Sequence, residues 1–160
     1  MLRGAFAVRA SLSLPLLWAL GVVTADQLAK VAVRSSLLPG DSFPADGPFR
    51  FTHVTNTGAA FGLFANQGSL LTLVSLAAVL VLIWYYRSIG LQQNLMRASL
   101  GLQLGGALGN LIDRLRQGYV TDFLDFRVWP VFNLAYTALT IGVALLFFVV
   151  LFQKQRAEAG

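Results

Sequence analysis

The sequence contains no cysteine and only one histidine, His53, in 160 residues. Without cysteine there can be no disulfide, no thiol nucleophile, no cysteine-ligated metal and no lipidated cysteine. A single histidine also excludes a histidine-rich metal site, because such sites take several ligands. We therefore expect His53 to be a neutral residue at the surface or at the membrane interface, and we expect no bound metal or cofactor.

Charged residues are also scarce, at 12% of the chain, whereas hydrophobic residues make up 56% and the mean hydropathy is +0.67. Several apolar runs approach or exceed the roughly 20 residues that cross about 30 Å of hydrocarbon. The composition predicts a polytopic membrane protein with a single domain, residues 1–160. The formal charge of +5 suits contact with anionic membrane lipid. The basic residues are scattered and not interleaved with aromatic residues, so no nucleic-acid partner is expected.

The apolar stretches predict an all-α membrane protein with four transmembrane helices, at about residues 10–33, 69–86, 98–112 and 133–152. The first stretch could also be a signal peptide, but it continues to Val33 and three further spans follow, so we interpret it as a retained helix. In the third stretch, Gly101, Gly105 and Gly109 recur every four residues, a pattern that lets a neighbouring backbone approach closely. We expect this helix to be central to the bundle.

Two longer segments, residues 35–67 and 114–132, are expected to lie together outside the membrane. The first is rich in proline and glycine, and the alternation in residues 49–54 predicts a strand, so a small extra-membrane β element is expected there. Parity places both termini and the connector 87–97 on the other side. Basic residues are equally numerous near the two sides, but those of the short, tail-like segments lie close to span ends. We therefore expect cytoplasmic termini and two outer-face segments.

Six ionisable residues crowd into fifteen positions around the second outer-face segment: Asp113, Arg114, Arg116, Asp122, Asp125 and Arg127. Ionisable groups beside apolar spans are costly and mark a functional site by default. Asp113 with Arg114 could instead form a simple interfacial ion cluster. Asp122 and Asp125, three residues apart, would face opposite sides in a strand and the same side in a helix.

Asp26 and Lys30 lie four residues apart on the first helix, the spacing of an intrahelical ion pair that could neutralise itself or orient a site. Two carboxylates that meet in a water-poor site could share a proton and activate water for peptide hydrolysis. Without a thiol, a suitable histidine or a nucleophile elbow, aspartic chemistry is the only hydrolytic scheme that the composition supports. An ion or proton pathway through Asp26, Lys30 and Asp113 is a further hypothesis. It predicts acids spread through the bilayer depth, whereas here they crowd at one interface.

Five motifs follow one another along the chain. They are Asp26-Gln27-x-x-Lys30, Asn56-Thr57-Gly58-Ala59-Ala60-Phe61, the run GGALGNLIDR ending at Arg114, the run GYVTDF ending at Phe123, and Phe132-Asn133-Leu134-Ala135. In this order they resemble the motifs of lipoprotein signal peptidase (signal peptidase II), a four-helix aspartic peptidase of bacterial inner membranes. The resemblance covers essentially the whole chain.

The resemblance implies a diacylglyceryl-modified prolipoprotein as substrate, cut just before its lipidated cysteine, and peptide-like inhibitors such as globomycin as further ligands. It also implies a catalytic pair of aspartates, the first at Asp122 and the second at position 136, which here is Tyr136. By the same resemblance, further residues would line or support the site: Asp26, Lys30, Asn56, Gly58, Asn110, Asp113, Arg114 and Asn133.

Tyr136 departs from the family pattern at a catalytic position. A phenol has an unperturbed pKa near ~10, so near neutral pH it can donate a hydrogen bond but hardly act as a base. Asp125 or Asp113 could substitute, but the family carries acids at comparable places without using them as the pair. We expect the chain to fold as the peptidase and to be severely impaired in cleavage. Three accounts of Tyr136 are open: an introduced or accidental substitution in an otherwise ordinary peptidase, an inactive relative that binds lipidated signal peptides, and a rearranged site that still cuts.

Overall fold

The computed structural model describes residues 2–58, 67–88 and 94–158, which form four long helices and a small sheet. Residues 59–61 of the second motif and the middle of the 87–97 connector lie outside the described residues. In chain order the elements are α1 (Leu2–Ser36), β1 (Ser42–Phe43), β2 (Arg50–Asn56), α2 (Gly68–Ser88), α3 (Asn94–Gln117), β3 (Val120–Asp125) and α4 (Leu134–Glu158).

Three of these helices are long and apolar enough to cross a membrane, over Leu14–Ser36, Gly68–Arg87 and Leu134–Leu151. In the described part of the chain, α3 does not join them, because glycine, glutamine and charged residues replace large apolar side chains along it. It runs past the expected 98–112 at both ends, so that Asp113 and Arg114 lie within the helix.

α3 packs against α1, α2 and α4, which confirms the prediction that it is the central helix. Its glycines explain how close the packing is. A methyl group at Gly101 would lie 2.6 Å from the carbonyl oxygen of Pro15, and one at Gly105 would lie 2.8 Å from that of Ala19. Gly106, which the four-residue pattern does not include, faces the Ala135 carbonyl of α4 in the same way. Small residues on two sides of one helix therefore bring α1 and α4 onto it.

The three strands form one antiparallel sheet in the order β1-β2-β3, which confirms the expected small β element. The third strand comes from the second outer-face segment, where the sequence left strand and helix open. Asp122 lies opposite Val54, and Asp125 lies opposite Arg50. The two aspartates therefore point to opposite faces of a strand.

His53 is buried in β2, with only 5% of its surface exposed. Its Nδ1 lies 2.8 Å from the carbonyl oxygen of Leu37, just beyond α1. The prediction of a surface histidine was wrong, whereas the alternative of a histidine at the membrane interface stays a prediction. The register of β2 against β3 is irregular between Phe51 and Val54, so that two consecutive residues, Thr52 and His53, are both buried.

Candidate active site

Asp122 is the carboxylate around which the polar side chains of the structure gather. It lies on β3 and is 4% exposed. The Asn133 amide donates to its Oδ1 at 2.6 Å, and the Asn56 amide donates to its Oδ2 at 2.8 Å. Within the described residues, the side-chain hydrogen bonds to this carboxylate come from these two amides and from no second acid.

Burial raises the pKa of Asp122 to about 6, because it disfavours the charged form. The hydrogen bonds from Asn56 and Asn133 oppose the shift, as do the positive charges of Lys30 and Arg114. A carboxyl group whose pKa lies near neutrality can exchange a proton during a reaction, as general acid–base catalysis requires.

Asn133 joins this carboxylate to the start of α4. Its Oδ1 accepts a hydrogen bond from the Tyr136 backbone N–H at 2.7 Å, which makes Asn133 the N-cap of the helix. Because the oxygen is used for the cap, the amide NH₂ points to Asp122 and to the Asn110 oxygen, 3.1 Å away. The orientation of Asn133 is therefore fixed at both ends.

Behind Asn110 lies a buried ionic cluster centred on Lys30. The ammonium group of Lys30 is 2.8 Å from Asp26, 2.9 Å from Asp113 and 3.1 Å from the Asn110 oxygen. The side chains of Lys30 and Asp26 are fully buried, and that of Asp113 is nearly so. The expected ion pair of Asp26 and Lys30 is confirmed, but it is shared with α3 and is therefore not self-contained.

The two acids of this cluster also bind the backbone next to Asp122. The second oxygen of Asp26 accepts a hydrogen bond from the Ala135 N–H in the first turn of α4, at 2.9 Å. Asp113 accepts one from the Thr121 N–H on β3, at 3.0 Å. The cluster thus holds in place both the strand that carries Asp122 and the helix that carries Tyr136.

Arg114 and Gly58 lie at the other side of Asp122. The Arg114 guanidinium donates to the Gly58 carbonyl and to the Ser75 hydroxyl, both at 3.3 Å. The Gly58 N–H donates to the Asn56 oxygen at 2.9 Å. Asn56 therefore orients Asp122 with its amide NH₂ and holds the turn at Gly58 with its oxygen.

Tyr136 lies on the first turn of α4 and is half-buried. Its ring is tilted against that of Phe132, with the centroids 6.1 Å apart.

All ten residues that the sequence singled out for the site therefore lie around one junction of α1, α3, α4 and the sheet. Asp125 does not join them: it binds Arg50 and the Thr52 hydroxyl on the sheet, the latter at 2.8 Å.

Three residues to which the sequence analysis gave no site role complete the junction. Gln27 donates to Asp113 and to the Gly109 carbonyl, both at 3.1 Å. Arg34 donates to the Thr121 hydroxyl at 3.0 Å. A signal for Arg34 was present, since Asp26, Lys30 and Arg34 follow one another at four-residue spacing on one helix face. A signal for Thr121 was its place directly before Asp122 in the run GYVTDF.

The arrangement offers little to a metal ion. The carboxylates of Asp26 and Asp113 are both directed at the Lys30 ammonium. In residues 2–58, 67–88 and 94–158, no group of three or more acidic, histidine or cysteine side chains is placed to hold one. The chemistry that the junction supports is proton exchange at Asp122.

Comparisons with known proteins agree on one family. Residues 18–152 match the family described as Signal peptidase (SPase) II. A lipoprotein signal peptidase of Moorella thermoacetica is 50% identical over 132 residues, which cover 82% of this chain and 88% of that protein. One from Halothermothrix orenii is 42% identical over 141 residues, covering 87% and 94% of the two chains. A solved bacterial membrane enzyme is similar in fold, with a TM-score of 0.82 and 30% identity over 91% of this chain and 92% of that one.

Proposed function

This chain belongs to the signal peptidase II family of aspartic-type proteases and is a multi-pass bacterial membrane protein, and from that premise we propose its substrate and its catalytic competence. The substrate is a prolipoprotein modified with diacylglycerol, and the bond cut lies just before the lipidated cysteine. The observation that carries the proposal is the setting of Asp122, a buried carboxyl group held by two amides with its pKa raised to about 6.

In this reaction Asp122 is one member of a pair of carboxyl groups that share a proton, and position 136 holds the other. Two carboxylates in close contact cannot both ionise, so one acts as the acid and the other as the base towards water. The Tyr136 side chain cannot complete that pair, because a phenol has no carboxyl group with which to share the proton of Asp122. We therefore propose that this chain has the scaffold of the peptidase and cleaves very poorly.

Neither nearby acid is free to replace the missing carboxyl group. Asp113 binds Lys30 through one oxygen and lies 3.9 Å from Arg34 through the other. Asp125 points to the opposite face of β3, where it is neutralised by Arg50. Recruiting either one would require breaking a buried ion pair or turning a strand over.

The same proposal includes a topology. α3 crosses the bilayer as a fourth span, because α1, α2 and α4 surround its polar surface. Both termini are cytoplasmic and the junction at Asp122 faces the outside of the inner membrane. The whole chain forms one integral domain, and globomycin and similar peptide-like inhibitors bind at the same junction.

A second candidate is an inactive relative that binds lipidated signal peptides without cutting them. The intact contacts of Asp122 with Asn56 and Asn133 favour it, since the loss at position 136 leaves that part of the site in place. Binding and cleavage must therefore be measured separately.

The deciding experiment is a gel-shift cleavage assay on a diacylglyceryl-modified prolipoprotein with the parent chain and Tyr136→Asp. Tyr136→Asn is the matched control, because it has the shape of aspartate without the acid. We expect cleavage only with Tyr136→Asp, and its loss again when Asp122→Asn is added. Ordinary cleavage by the parent would refute the proposed impairment. Binding of globomycin without cleavage by any variant would favour the inactive relative.

A further inference from the structure

Five aromatic rings form a continuous row from the first turn of α4 to the outer part of the sheet. We call them the aromatic row: Phe51, Phe49, Phe126, Phe132 and Tyr136. Successive centroids are 5.1, 5.0, 5.8 and 6.1 Å apart, and Phe126 stacks on Phe132. These distances are those of favourable aromatic pairs, so the row is a packed unit.

The outer end of the row is exposed. Phe49, Phe51 and Phe126 have 37%, 40% and 45% of their surface accessible. In the turn that follows Phe126, Val128 is 90% exposed and Trp129 is 51% exposed. The three phenylalanine rings contact one another, and contiguous exposed apolar surface marks a protein–protein or membrane contact in natural proteins. We call these five residues the sheet face.

The aromatic row joins the sheet face to a candidate membrane span. The row ends at Tyr136, in the first turn of α4, and this turn belongs to the candidate span Leu134–Leu151. The row therefore connects the exposed rings of the sheet face to the start of a helix that is apolar enough to cross a membrane.

The charges on the adjoining strands do not oppose contact with lipid. Arg50 and Asp125, which lie opposite each other on β2 and β3, form an ion pair. Arg127, between Phe126 and Val128, is exposed, and a basic residue at a membrane surface is attracted to lipid phosphate groups. Tryptophan and other aromatic side chains with a basic neighbour are the residues that anchor proteins at the headgroup level of a bilayer.

We propose that the sheet face lies in the membrane interface and binds the headgroup region of the bilayer lipids. β3 carries Asp122 three residues before Asp125 and four before Phe126, so this contact fixes the height of Asp122 above the bilayer surface. A scissile bond next to a lipidated cysteine would itself be held at the interface. The contact with lipid does not depend on whether the chain cleaves.

The test uses native tryptophans in the full chain reconstituted into phosphatidylcholine vesicles. One protein keeps only Trp129, with the other two replaced by phenylalanine. A second keeps only Trp84, which is 66% exposed near the far end of α2 and serves as an interfacial reference. We expect lipids that carry bromine near the headgroup end of their acyl chains to quench the fluorescence of Trp129 about as strongly as that of Trp84. Aqueous acrylamide should quench Trp129 weakly.

A substitution in the sheet face provides the second part of the quenching experiment. In the Trp129-only protein, Val128→Asp places a charge at the most exposed apolar position, and Val128→Thr keeps its shape without the charge. We expect Val128→Asp to reduce quenching by brominated lipid and to increase quenching by acrylamide, with Val128→Thr unchanged. Strong acrylamide quenching of the parent, with no effect of brominated lipid, would overturn the proposal. Protection of Trp129 only after a prolipoprotein peptide is added would also overturn it, and would identify the sheet face as a peptide-binding surface.

Discussion

Replacing Lys30 with methionine is the sharpest test of how the junction is held together. Methionine keeps most of the length and apolar surface of the lysine side chain and removes the ammonium group. That group lies within 3.1 Å of Asp26, Asp113 and Asn110 and is fully shielded from solvent. The variant would leave two carboxylates facing each other without the cation that separates them.

The expected loss in the free energy of unfolding of Lys30→Met follows from the burial of the ionic cluster. Removing one partner of a buried ion pair costs about 3–5 kcal/mol, because the remaining charge is left uncompensated. Asp113 keeps Gln27 and the Thr121 N–H, which places the estimate near the middle of that range, at about 4 kcal/mol. For a chain of this size about 2–4 °C of Tm corresponds to each kcal/mol, so we expect Lys30→Met to lower Tm by about 10 °C.

The assay is unfolding of the purified protein in a mild detergent, by heat and by titration with a denaturing detergent. The matched control is Lys30→Met combined with Asp26→Asn, which removes one of the two stranded charges. If the ionic cluster is the cause, the double variant should be clearly more stable than Lys30→Met alone. A Lys30→Met protein within about 1 kcal/mol of the parent would refute this account of the junction.

Two further predictions concern helix packing and protonation. Gly106→Ala should destabilise the protein by about 1–3 kcal/mol in the same unfolding assay, because the added methyl meets the Ala135 backbone. Gly21→Ala, where nothing lies within 4 Å of the new methyl, should be neutral or stabilising. Equal losses of stability in the two variants would contradict the packing argument. The raised pKa of Asp122 means that the folded state holds its proton more tightly than the unfolded state. Its contribution to stability should therefore be lost as pH rises from about 4 to about 6, by up to about 3 kcal/mol. This part of the pH dependence should vanish in Asp122→Asn, and a pH profile shared by both proteins would count against a buried, protonatable Asp122.

Local spacing was enough to predict several parts of this structure. The four-residue interval of Asp26 and Lys30 identified their ion pair, and the glycine repeat identified the central helix. The alternation around Phe51 indicated β2. Each of these signals lies within one element, where periodicity fixes which side chains share a face.

Contacts between distant segments could not be predicted in this way. Nothing in the sequence of the first helix indicates that Lys30 also forms an ion pair with Asp113. Nor does it indicate that Asp26 binds the Ala135 N–H, 109 positions further along the chain. The strand character of residues 120–125 depends on pairing with β2, so its sequence left helix and strand open. The burial of His53 follows from an irregular register that only the paired strands define.

The cap of α4 has a consequence for how such a protein can change over generations. Asn133 holds residue 136 by its backbone N–H, a group that every amino acid except proline supplies. The cap therefore places no demand on the side chain at that position, and the helix start tolerates aspartate, asparagine or tyrosine alike. A lineage can exchange the side chain at residue 136 while its product continues to fold, insert and accumulate. Abundance in the membrane is then a poor guide to whether such a protein works.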